Sequence, residues 1–183
     1  MNKAVFLDRD GTINVDKDYT HKVEDLEFEK NAVKALKKLK KSDYKLIIVT
    51  GQSGIGKGYY SEGDYHIFMK AMYKELEKEE ITFDGEYFCP HHSKDGKGEY
   101  KKDCSCRKPK IGMLRLASKD FKIDLAQSWV IGDKTDDIKM GENAGCKTIL
   151  VKTGKRGEDG HFDIKPDYTS EDLLEAINYI LSQ

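Results

Sequence analysis

In FLDRDGT, Phe6 to Thr12, two carboxylates, Asp8 and Asp10, lie two positions apart just past a short apolar run. Such a pair can divide the work of phosphate-ester hydrolysis. One carboxylate attacks phosphorus and forms an aspartyl-phosphate, and the other protonates the leaving oxygen and then deprotonates the incoming water. Two carboxylates and a phosphate dianion repel one another, so the chemistry requires magnesium and a fixed cation. Asp133 in VIGDK can complete the metal site, and Lys108 in CRKP can offset the negative charge. Thr50, with the backbone N–H groups of Gly51 and Gln52, can hold the phosphoryl oxygens.

Around Thr50 the sequence reads VTGQSGIGKG, close to the G-x-x-x-x-G-K phosphate loop of nucleotide-hydrolysing enzymes. That loop needs Ser or Thr after its lysine to hold magnesium, and here the residue is Gly58. It also favours the first strand, a place taken here by DRDGT. A short Gly-rich match is weak evidence, and the nucleotide-binding reading is set aside as a rival.

A second constellation is CPHHSKDGKGEYKKDCSCRKP, with Cys89, His91, Cys104 and Cys106. Three thiolates and an imidazole make a closed tetrahedral zinc site, which is structural because no position remains for water or substrate. His92 could replace His91; spacing alone does not decide. So hydrophilic a loop offers three thiols no apolar refuge, so a metal is expected to supply its order. From Ser93 to Lys110 there are seven Lys or Arg and three Asp or Glu, a balance that suits an anionic substrate.

These residues need a scaffold that brings strand ends together. Apolar runs at Lys3–Leu7, Lys45–Thr50, Glu86–Cys89, Ser128–Gly132 and Thr148–Val151 read as strands, with a short edge strand at Tyr168. Helical patterns lie between them: Val33, Leu36 and Leu39; a run through Leu76 behind a capping box at Ser61–Asp64; about Ile111–Lys119; Asp136–Ala144; and Glu171–Leu181. The alternation predicts an α/β fold, a doubly wound parallel sheet with helices on both faces. Ligands then bind beyond the carboxyl ends of the strands, where strand order reverses. One domain over 1–183 is expected, with 89–108 as an inserted zinc-binding loop. The stretch GHFDIKPD in the 160s reads as the most flexible.

Charged residues are 36% and hydrophobic ones 38% of the 183, and the net charge is -1, so nothing pulls the chain globally towards nucleic acid or membrane. Trp129 and the tyrosines are scattered rather than striped with basic residues, which argues for packing over base stacking. Met1-Asn2-Lys3 leads into too short an apolar run for a signal peptide, so a cytoplasmic protein is expected, and the small size and lack of an apolar surface stripe point to a monomer.

DRDGT, VT, RKP and GDKTDD, in that order and at strand ends, resemble the four motifs of the haloacid dehalogenase superfamily of phosphohydrolases, across nearly the whole chain. FLDRDGTIN, QSGI, GYYSE, YFCPHH, CSCRKP and VIGDK are further similar to the D-glycero-D-manno-heptose 1,7-bisphosphate 7-phosphatases within it, over roughly residues 3 to 156. The resemblance implies a Rossmann-like fold without a large cap, and Asp8 as nucleophile with Asp10 as general acid and base. Magnesium would be held by the Asp8 and Asp133 carboxylates and the Asp10 backbone carbonyl. Thr50 and Lys108 would bind the transferring phosphate, and Arg107 the substrate. Cys89, His91, Cys104 and Cys106 would hold zinc. Gly51, Gln52 and Ser53 join the substrate-binding set. Arg9 is placed with them, either touching substrate or neutralising its two neighbours. Asp137 fits the family's second acidic position, though stabilisation of a helix terminus explains it nearly as well. The implied substrate is a small phosphorylated sugar on the route to nucleotide-activated heptose, with histidinol phosphate as the rival. One departure is Gly51, where the family usually has Asn.

Overall fold

A computed structural model of the protein describes residues 1–183. β1 (Lys3–Leu7) is apolar on both sides: Val5 and Leu7 enter one core, Ala4 and Phe6 the other. β2 (Tyr44–Gly51) divides the same way, Leu46 and Ile48 against Ile47 and Val49. Alternate residues of a strand face opposite ways, so strands like these must be covered on both faces, as in a parallel sheet with flanking helices. β3 (Gly85–Cys89), β4 (Trp129–Gly132), β5 (Lys147–Val151) and β6 (Tyr168–Ser170) complete the sheet. Its order is β3-β2-β1-β4-β5-β6, and every pairing is parallel.

The helices are α1 (Ala32–Leu39), α2 (Ser53–Lys57), α3 (Glu62–Glu77), α4 (Gly112–Phe121), α5 (Thr135–Ala144) and α6 (Leu173–Leu181). α1, α3 and α6 pack on one face of the sheet and α4 and α5 on the other. In α1 the buried residues are Ala32, Ala35, Leu36 and Leu39, an apolar stripe at helical spacing with lysines between. α3 opens on the expected capping box: Asp64 N–H donates to Ser61 Oγ at 3.1 Å, and Ser61 N–H to Asp64 Oδ2 at 2.8 Å. α6 begins later than the pattern suggests, because the Asp172 side chain accepts from Glu175 N–H at 3.0 Å and caps it, leaving Glu171 outside.

Strand order reverses between β1 and β4. The segments that follow these strands, Asp8 onwards and Asp133 onwards, therefore open onto one crevice. The near-Walker stretch folds as α2, an element the sequence pattern did not suggest. Its glycines serve packing. A Cβ at Gly54 would lie 2.2 Å from the Tyr60 ring, and one at Gly56 2.5 Å from the Pro90 carbonyl oxygen.

Candidate active site and metal centres

The crevice has a volume of about 440 Å³, and its walls include Asp8, Asp10, Gly51, Gln52, Ser53, Arg107, Lys108 and Asp137. Asp8 leaves β1 with its N–H bonded to the Ile131 carbonyl of β4 at 3.0 Å, which fixes its backbone at the reversal point. Lys108 arrives from a hundred residues further along. Its Nζ donates to Asp8 Oδ1 at 2.6 Å and to Asp137 Oδ1 at 2.5 Å. Burial would lower the Lys108 pKa, but the carboxylates of Asp137 and Asp8 outweigh it and hold the group raised, firmly charged.

Asp8, Asp133 and Asp137 are all buried, and an oxygen from each lies within 4.8 Å of the others. Asp133 Oδ2 accepts the Lys155 N–H at 2.7 Å, while its Oδ1 is buried with no partner. Burial, then the charge of Asp8, pushes Asp133 up to about 8; burial also raises Asp8, which Lys108 partly opposes. Carboxylates gathered out of water, with an orphaned oxygen among them, fit a hard divalent cation. Asp137, which the motif left between a metal-site role and a helix-terminus role, is both a member of this cluster and an acceptor for the Lys134 N–H at the start of α5, at 3.2 Å.

The Asp10 carboxylate stands outside that cluster. It accepts from Arg9, from Asn14 Nδ2 at 3.0 Å and from Gln52 Nε2 at 3.1 Å. Gln52 is tied down in turn: its Nε2 donates to Thr50 Oγ1 at 2.8 Å, and its Oε1 accepts from the Tyr60 hydroxyl at 2.6 Å. One expectation is narrowed and one corrected here. Arg9, placed with the substrate-binding set as either a substrate contact or a neutraliser of its neighbours, fits the second part: it is 0% exposed, is bonded to Asp10 and lines no part of the crevice, with Thr20 and the side chains of α3 enclosing it. The Gln52 backbone N–H is not free for a phosphoryl oxygen, because it donates to the Cys89 carbonyl at 2.8 Å.

The four zinc candidates do converge. The Cys106 Sγ lies 3.1 Å from Cys89 Sγ and 3.2 Å from Cys104 Sγ, and 3.4 Å from His91 Nδ1. None is in a disulfide. Such separations lie somewhat inside the roughly 3.8 Å edges of a tetrahedron whose bonds are about 2.3 Å, and three thiols with one imidazole facing a common centre are a donor set that fits zinc. His92 is engaged elsewhere, its Nδ1 accepting from Asp95 N–H at 2.9 Å, so the choice left open by spacing falls to His91. Arg107 follows directly and donates to the His91 carbonyl at 3.1 Å.

Sequence reasoning missed the loop after β5. Lys155 and Gly157 donate their N–H groups to Asp133, and Asp159 takes the Thr135 N–H at 2.8 Å and its hydroxyl at 2.6 Å. His161, given no role, reaches the crevice wall with Asp136 3.3 Å from its ring. Low apolar content made this stretch read as loose, and its attachment is through backbone and carboxylate bonds that leave no hydrophobic signature. Lys134 also lines the crevice; its position next to Asp133 was the available signal.

Comparison with known proteins agrees with this geometry. Residues 105–176 match a family described as "HAD-hyrolase-like". The D-glycero-beta-D-manno-heptose-1,7-bisphosphate 7-phosphatase of Haemophilus influenzae is 51% identical over 85% of this chain and 84% of its own. That of Haemophilus ducreyi is 44% identical over 97% and 98%. The crystal structure of D,D-heptose 1,7-bisphosphate phosphatase from B. bronchiseptica, complexed with magnesium and phosphate, superposes with a TM-score of 0.87 over 98% of each chain at 27% identity. With the motifs at the strand ends and relatives this similar over most of both lengths, the chain belongs to the D-glycero-β-D-manno-heptose-1,7-bisphosphate 7-phosphatase family of haloacid dehalogenase-like phosphatases.

Proposed function

We propose that the protein removes the 7-phosphate of D-glycero-β-D-manno-heptose 1,7-bisphosphate through an aspartyl-phosphate on Asp8. The observation that carries the reaction is the buried contact of Lys108 with Asp8 at the strand reversal, with Asp10 two residues on. The substrate rests on the activity named for the Haemophilus relatives.

Asp8 Oδ attacks phosphorus while Lys108 binds the transferring phosphoryl group; Thr50, the motif's second phosphate ligand, is 1% exposed and sits behind the crevice wall, its hydroxyl accepting from Gln52. Asp10 gives its proton to the departing C7 oxygen, then takes one from the water that cleaves the Asp8 ester. Arg107, with Ser53 and Gly51, which also line the crevice, contacts the remainder of the sugar phosphate. Asp8 and Asp133, with the Asp10 carbonyl and Asp137 beside them, would hold magnesium, which when bound neutralises charge as the phosphoryl group transfers. Cys89, His91, Cys104 and Cys106 would hold a structural zinc that orders residues 89–108 within one domain spanning 1–183. No helix is long and apolar enough to cross a membrane. The large exposed apolar side chains, such as Tyr59, Ile67 and Leu116, come from separate elements, which supports a monomer.

The test is phosphate release, with magnesium, from both anomers of the heptose bisphosphate and from histidinol phosphate, with Asp8→Asn alongside. Release from the β anomer, lost in the variant by roughly 10⁴-fold or more, is expected. Preferred release from histidinol phosphate would keep the mechanism and overturn the substrate. Undiminished activity of Asp8→Asn would overturn the mechanism.

A further inference from the structure

Arg9 is a full positive charge with no access to water, and its surroundings are almost wholly neutral. Its Nε donates to Asp10 Oδ1 at 3.1 Å, and its Nη2 lies 2.8 Å from each Asp10 oxygen and 2.6 Å from the Thr20 carbonyl. Nη1 faces Met69 Sδ at 3.7 Å. The Phe68 ring lies 4.6 Å and the Tyr65 ring 5.6 Å from the guanidinium carbon. Asp10 is the sole carboxylate bonded to Arg9. A buried cation with one anionic partner and rigid aromatic walls has one low-energy arrangement, and its partner shares that rigidity. The partner here is 13% exposed, and it lines the crevice.

We infer that Arg9 is a positioning residue: from inside the protein it fixes the rotamer of Asp10 and steadies the carboxylate that is left once this group has passed its proton to the leaving oxygen. The inference rests on the phosphatase reading, and it concerns the first half-reaction. As the Asp8 Oδ–P bond forms and the P–O bond to substrate breaks, the electron pair of that bond stays on the leaving oxygen. The Asp10 proton moves to this oxygen, giving a neutral alcohol and an Asp10 carboxylate. An alkoxide needs that proton badly; a nitrophenolate leaves without it. α3 takes part because Phe68 and Met69 form the seat of the guanidinium, so a helix that supplies no reacting group still controls the acid.

The experiment compares the heptose bisphosphate, an alkyl ester at C7, with 4-nitrophenyl phosphate in Arg9→Lys, Arg9→Met and Phe68→Leu. kcat/KM is the parameter, since it covers the steps through phosphoenzyme formation. For the Arg9 variants, kcat/KM on the alkyl ester should fall about 10²-fold or more, while the aryl ester falls less than about 10-fold. Phe68→Leu keeps the charge and loosens its seat, and should show the same bias at smaller size. It also carries the test if Arg9 substitutions do not fold, with thermal midpoints recorded for each protein. Equal losses on both esters in folded variants, or no loss on either, would overturn the role of Arg9. A wild-type protein inactive on both esters would instead sink the phosphatase reading, and the inference with it.

Discussion

Asp8, Asp133 and Asp137 are buried at the ends of a sheet packed on both faces, whereas Cys89, His91, Cys104 and Cys106 meet around a loop in which, from His92 to Asp103, only Gly96 is buried. The first group is assembled by the fold. Its charges repel and are held together by core packing, by Lys108 and by backbone N–H groups. The second is anchored on one side only: Cys89 belongs to the core under the sheet with Cys104 and Cys106 packed against it, while the loop between them is open to water, so the four donors link the end of β3 to the residues leading to Lys108. On the proposed function the first site costs stability in exchange for chemistry, and in the second a metal held by the donors would supply stability. Substituting a donor should have opposite structural consequences in the two places.

Among substitutions that test this contrast, the largest effect is expected at Asp133. Asp133→Asn keeps an oxygen for the Lys155 N–H but removes one of the clustered charges. Activity should fall about 10³-fold or more, since several kcal/mol of metal-borne stabilisation is lost. The metal-free fold should respond the other way. An acid whose pKa is raised by folding binds its proton more tightly in the native state. The ionised native group therefore costs stability as pH rises from the ordinary carboxylate range towards the raised value, here about 8. At pH 7 the variant escapes that cost, so its thermal midpoint without magnesium should hold or rise, by about 2–4 °C per kcal/mol in a chain of this size. Calorimetry with and without magnesium checks this. A clear fall in the midpoint would show that the carboxylates stabilise the fold and would end the contrast.

Cys104→Ser tests the other half. Zinc content, thermal midpoint and activity should drop together. Arg107 is bonded to the His91 carbonyl, and Lys108 comes next, so a loosened loop displaces both. A shift near 1 Å in groups that hold the phosphate can cost about 10²-fold. Zinc analysis beside kcat/KM decides it: full activity in zinc-free protein would separate the loop from catalysis.

The same contrast explains what could be read from the sequence. Residues that react must be of particular types at strand ends, so DRDGT, RKP and GDK were legible, and the apolar runs between them implied the parallel sheet. The grouping of the thiols with His91 was legible from spacing, but not their setting: a hydrophilic loop offers no apolar refuge, yet Cys89 is buried in the core under the sheet and Cys104 and Cys106 pack against it. Supporting roles were not legible. That Arg9 turns inward depends on Phe68 and Met69 of α3 closing over it, about sixty residues away, and no local pattern encodes that. Nor does any local pattern encode that the Gln52 N–H is taken by the carbonyl of Cys89 on the neighbouring strand. The loop after β5 holds Asp133 through main-chain donors, which any sequence possesses.

Gly51 lies where the two regions meet, paired with Cys89 at the end of β2 and exposed on the crevice wall. A Cβ added there would meet nothing within 4 Å, and the backbone is not left-handed, so glycine is not required by the fold. Gly51→Asn should therefore leave the thermal midpoint nearly unchanged, as surface substitutions within about 0.5 kcal/mol do. Its effect belongs to substrate choice: an amide reaching into the crevice adds one hydrogen bond, worth about 0.5–1.5 kcal/mol, or roughly 2- to 10-fold in kcat/KM. The change should appear for the heptose bisphosphate and not for 4-nitrophenyl phosphate, which has no hydroxyl or second phosphate to meet it. Equal kinetics on both esters would mean that the open space at Gly51 is neutral, and that preference is decided on the Arg107 side of the crevice.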